Sequence, residues 1–96
     1  MGIIYWIGYC DKERVEALTD LEMMVKSCAL LKDFKSFSGI SVSLTIEIQE
    51  CKIDALYQQM KDYMKMDEVD QLNSDLEVER VVLLNVTYSD IITSRI

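Results

Sequence analysis

Residues 39–49 read G-I-S-V-S-L-T-I-E-I-Q, and this stretch restricts the possible folds more than any other. Ile40, Val42, Leu44, Ile46 and Ile48 alternate without a slip with Ser41, Ser43, Thr45, Glu47 and Gln49. Alternation of period two puts every apolar side chain on one face of a strand and every polar one on the other. A helix, at about 3.6 residues per turn, would scatter the same set around its circumference. The rest of the chain must supply neighbours for this strand and a cover for its dry face.

Ninety-six residues, half of them apolar, suit one domain (1–96) with a single core. The opening run M-G-I-I-Y-W-I-G-Y-C is too short to span a membrane and has no basic flank or small-residue cleavage site, so a cytoplasmic setting is expected. The cysteines agree: Cys10, Cys28 and Cys51 are odd in number and lack C-x-x-C spacing. There is no histidine, which removes the usual general base and the commonest zinc ligand. No cofactor or metal is expected, and no proline interrupts the elements.

The net charge of −7 is unevenly spread. Asp67, Glu68, Asp70, Asp75, Glu77 and Glu79 lie within thirteen residues that hold no base, whereas the remainder has eleven acids against ten bases. Such a segment repels phosphate backbones and attracts basic surfaces, which disfavours direct nucleic-acid binding.

In chain order, residues 3–10 are almost wholly apolar and aromatic on both faces and read as an interior strand buried on both sides. Asp11 is a candidate N-cap for a helix over residues 12–31, whose stripe is Val15, Leu18, Leu21, Val25, Cys28 and Leu31. Residues 33–37 read as a short edge strand hairpinned to 39–49 through Ser38-Gly39, with a plain loop as the competing reading. A second helix over 50–66 carries Ile53, Leu56, Met60, Tyr63 and Met64 as its stripe. Asn73-Ser74-Asp75 is the expected turn of the acidic segment. A last strand runs over 77–87, followed by an apolar tail (89–96) with Ile91, Ile92 and Ile96.

With right-handed crossovers this order gives an α+β fold on the ferredoxin-like βαββαβ plan, an antiparallel sheet with two helices packed on one face. A three-stranded sheet remains if 33–37 is a loop. The helices would meet Ile4, Trp6, Val82, Leu84 and Val86, with Gly8 allowing close helix approach. The other face would show Ile3, Tyr5, Ile7, Tyr9, Val81 and Leu83, a large patch to leave wet. A homodimer or a partner interface there is the expectation.

Several groups have competing readings. Tyr5 and Tyr9 could stack bases, but no lysine or arginine lines their strand, and an interface or second small core is the simpler account. Asp11, at the end of the first strand, resembles the acid of small ferredoxin-like, metal-dependent nucleases of the CRISPR-associated type; the match is one residue and a topology, without the basic surface. A helix N-cap explains Asp11 as well. The three cysteines read as small core hydrophobes. Met60 and Met64 fit the core, whereas Met23 and Met66 miss their stripes and should be exposed. The acidic segment could be a solvated loop, a calcium loop (though it lacks the turn glycine and the spaced terminal glutamate), or a docking surface.

The chain therefore reads as a small, acidic, non-catalytic protein-binding module, inhibitor-, immunity- or antitoxin-like. Its partner would be a basic protein, and a protein that itself binds nucleic acid fits that description. The alternatives are a dimeric regulatory or small-molecule-sensing domain and a metal-dependent nuclease using Asp11.

Overall fold

A computed structural model describes residues 2–37 and 40–88. The elements are β1 (Ile4–Cys10), α1 (Arg14–Lys26), β2 (Leu30–Phe37), β3 (Ser41–Gln49), α2 (Glu50–Tyr63), β4 (Lys65–Met66) and β5 (Glu79–Tyr88). The apolar tail and the Ser38-Gly39 turn lie outside the described residues.

Among the described residues the fold is α+β, with a five-stranded sheet in the order β2-β3-β5-β1-β4 and two helices. The sheet is mixed, not purely antiparallel: β5 runs parallel to β1 and antiparallel to β3. This corrects the four-stranded expectation at a specific place. Taking β5 away would leave β2-β3-β1-β4, so the last long strand has entered the centre of the sheet. The expected edge position beside β1 is held by β4, a two-residue strand pairing with Gly8 and Tyr9.

β3 behaves as its alternation requires from Ser41 on, with Val42, Leu44, Ile46 and Ile48 buried beneath the helices, whereas Ile40, read on the same dry face, lies just before the strand and is exposed. In β1 the buried positions are Trp6, Gly8 and Cys10, and in β5 they are Val82, Leu84, Val86 and Tyr88. β1 is thus covered on one face only, where burial on both had been expected. An apolar outer face does not by itself recruit a cover.

α1 starts two residues later than Asp11 suggests. Glu13 is the cap, its carboxylate accepting from Val15 N at 3.0 Å and Glu16 N at 3.1 Å. Asp11 is exposed and outside the helix. The buried stripe contracts to Ala17, Leu21 and Val25, and Val15 is left exposed. The helix also ends early, at Lys26: Cys28 N bonds to Val25 O at 3.1 Å in a tightened last turn, and Leu31 joins β2. β2 is longer than residues 33–37 and carries an irregularity between Leu31 and Asp33.

α2 ends at Tyr63, so Met64 and Met66 leave it. Both are buried, and they fill the space over Gly8 that a helix backbone had been expected to take. A Cβ on Gly8 would lie 2.7 Å from Met64 Cε and 3.0 Å from Met66 Sδ. Met66 is therefore a core residue, whereas Met23 is exposed as expected. Trp6 anchors the middle of the core and meets the Tyr57 ring edge-on, with centroids 5.4 Å apart.

Candidate functional site

Two exposed surfaces follow from this arrangement. The first is the face of the sheet away from the helices. Along β1 it shows Tyr5 (61% exposed), Ile7 (41%) and Tyr9 (45%), with Ile3 just before the strand. The parallel register sets Tyr5 beside Leu83, Ile7 beside Asn85 and Tyr9 beside Thr87. The β3 register adds Thr45 beside Leu83, Ser43 beside Asn85 and Ser41 beside Thr87. Hence Ile3, Tyr5, Ile7, Tyr9, Val81 and Leu83 form one apolar strip, bordered by a strip of hydroxyls and an amide. Among the described residues no element covers this face.

The second surface is the chain between β4 and β5, residues 67–78, which forms a strap laid antiparallel along α2. Its near end is held where Tyr57 Oη donates to Asp67 O at 2.6 Å. Midway, the Asp54 carboxylate accepts from Leu72 N at 2.9 Å and Asn73 N at 2.8 Å. At the far end Cys51 N donates to Leu76 O and Glu50 N to Val78 O. Those last two bonds satisfy amides that the start of a helix otherwise leaves without partners. This explains why α2 needs no side-chain cap from Gln49. The expected turn is present: Asn73 has φ of 51°, a left-handed conformation that asparagine tolerates.

Glu50 ties the strap to the sheet. Its carboxylate accepts from Arg80 Nη1 at 2.7 Å, in a pair largely withdrawn from solvent. A hydrogen bond from the Ser74 side chain, and then the Arg80 contact, hold its pKa below the usual glutamate value.

Asp67, Glu68, Asp70, Asp75 and Glu77 are all exposed on the strap, and Glu79 is exposed at the first position of β5. The Lys61–Glu68 contact, at 4.0 Å, is too long and too open to neutralise much. Asp54 and Glu50, which organise the strap, escaped the sequence reading. Each lies in a helix, eighteen or more residues from the amides or side chains it engages, so no local pattern marks it.

At the carboxyl end of β1 an open cleft of about 460 Å³ is lined by residues that include Tyr9, Asp11, Lys12, Lys61 and Lys65. Lys12 is already engaged, donating to Tyr63 O at 3.4 Å and lying over the Tyr63 ring. Tyr63 Oη donates to Asp20 at 2.7 Å, and burial, then this bond, raises its pKa. No set of three or more metal-capable side chains gathers among the described residues. Cys10 is buried in the core, and Cys28 packs against it. No described helix is long and apolar enough to cross a membrane.

Comparison of the chain with protein-family models, with curated proteins and with solved structures gives no match.

Proposed function

We propose that this protein is a small binding module, of the inhibitor, immunity or antitoxin kind, that docks a basic protein through its acidic strap. The observation carrying this reading is the way the strap is held. Its backbone is fixed at four places along α2, while its carboxylates are left to solvent and nearly free of bases. Carboxylates on a rigid support lose little conformational freedom on binding and attract a basic surface from a distance. A partner that normally holds nucleic acid would meet them in place of phosphates.

The test replaces Asp67, Glu68, Asp70, Asp75, Glu77 and Glu79 by their amides. Association with the partner isolated from the native host is then measured across a salt series. The wild-type rate falls with salt; the amide variant associates about 10-fold or more slowly at low salt and responds weakly to it. Equal rates for the two proteins would leave the strap as a solubility feature alone.

A further inference from the structure

We infer that a recess beneath the strap binds a small uncharged carboxamide, with the Arg80 Nε–H as the donor that fixes it. The recess has a volume of about 100 Å³, and Ile4, Trp6, Ile53, Val69 and Leu72 form its apolar walls. The strap is anchored on both sides of it. At one end Tyr57 Oη donates to Asp67 O, and at the other Leu72 N donates to the Asp54 carboxylate. Between these anchors Val69 packs against the core, yet Leu72 stays 39% exposed, so the strap spans the gap without filling it.

Arg80 supplies a second, independent observation. Its Nη1 is engaged by Glu50 at 2.7 Å, but its Nε is buried and has no partner among the described residues. A buried N–H without an acceptor is costly, and folded proteins rarely keep one. Arg80 lines the recess, so that is where an acceptor has room to approach it. Water suits the space poorly. The volume equals roughly three waters at about 30 Å³ each, and each water needs roughly two to four polar partners where most of the wall is carbon.

The surrounding charge selects the ligand. Glu50 already balances Arg80, and the Asp54 and Asp70 carboxylates also line the recess. An anion is therefore repelled, although an arginine taken alone would invite one. An uncharged carbonyl oxygen accepts from Nε–H without opposing those acids. A carboxamide adds N–H donors, which the exposed Asp70 carboxylate can accept. The apolar walls take a short hydrocarbon body. Its size is limited, since a cavity of about 150 Å³ is what admits benzene. A ligand held there touches Val69 and Leu72 on the strap and Trp6 in the core, and so ties one to the other. The inference stands whether or not the strap docks a partner.

Propionamide and its shape-matched anion, propionate, are the probes. Each is titrated into the full chain and followed by NMR at the Trp6 indole and the Leu72 and Asn73 amides. Propionamide shifts these signals saturably and slows hydrogen exchange at Leu72 and Asn73, whereas propionate binds at least about 10-fold more weakly. Arg80→Lys keeps a positive charge for Glu50 but removes the Nε–H, and weakens propionamide by about 10-fold. Val69→Phe fills the recess and abolishes the shifts; Val15→Ala, on the exposed side of α1, leaves them unchanged. If Arg80→Lys fails to fold, the two probes on the wild type decide the matter. No saturable shift with propionamide overturns the inference and leaves the recess to water. Equal binding of both probes overturns it too, as does binding that a folded Arg80→Lys variant retains in full.

Discussion

β1 and the strap each present their most conspicuous side chains to water, β1 on the face away from the helices and the strap along α2, and they are held by different means. β1 is held by side chains and a ladder together: Trp6 and Cys10 are buried, and seven residues pair with β5. The strap is held mainly by its backbone, through the Asp54 carboxylate, the Tyr57 hydroxyl and the first amides of α2. Val69 is its half-buried apolar contact with the core. Exposed residues on β1 therefore rest on global stability, whereas those on the strap rest on a few local bonds. The distinction matters because a surface secured locally can be loosened without unfolding the rest.

The sharpest test is Trp6→Ala, which should cost about 3–5 kcal/mol in denaturant unfolding and loosen everything together. Tyr5→Ala, one position along, should stay within about 0.5 kcal/mol when measured on dilute monomer. Next in size is Asp54→Ala, expected to cost about 1.5 kcal/mol through the loss of two charge-assisted hydrogen bonds whose exposed amides turn to water instead. Hydrogen exchange should quicken at Leu72 and Asn73 but not along β1. Equal acceleration in both would break the comparison. Gly8→Ala should cost about 1 kcal/mol, since the new methyl meets the mobile ends of Met64 and Met66, which can swing aside.

The smallest effect is confined to acid. The folded-state pKa of Glu50 is depressed, so its contribution is present above the ordinary glutamate value of 4.5 and is lost as pH falls through the lowered value. Glu50→Gln should therefore flatten the acid limb of the stability profile below about pH 4.5. An unchanged limb would show that the Ser74 and Arg80 contacts leave no mark on folding.

How much of this was legible depended on whether the deciding contact was near in sequence. β3 could be read residue by residue, because its outward side chains are polar and its inward ones are not. β1 has two apolar faces, so its pattern marks a strand without ranking them. The reading that turns Trp6 and Gly8 towards the helices and Tyr5, Ile7 and Tyr9 outward nevertheless holds in the structure, and only the expected cover over the outer face is not found among the described residues. The choice between Asp11 and Glu13 as cap ran against propensity, which favours aspartate, because the Glu13 carboxylate is the one that reaches Val15 N and Glu16 N. The end of α1 carries no glycine or proline, and Leu31 continued its spacing while belonging to β2. β4 is too short to have a pattern. The acidic run was visible as a segment, yet its course along α2 is set by Asp54, Glu50 and Cys51, which composition cannot connect to it.

The central place of β5 also bears on how the molecule is made. Ile4 has to wait for Val82 before its ladder can close, and Val42 waits for Val86. During synthesis β1 and β3 must each keep an unfilled edge until the strand between them has left the ribosome. Assembly of the sheet is thus deferred until β5 has been made, and its long-range closure should make refolding slow for so small a sheet. A nascent chain stopped before Glu79 would expose two matching edges to its neighbours, which is where aggregation during expression should begin.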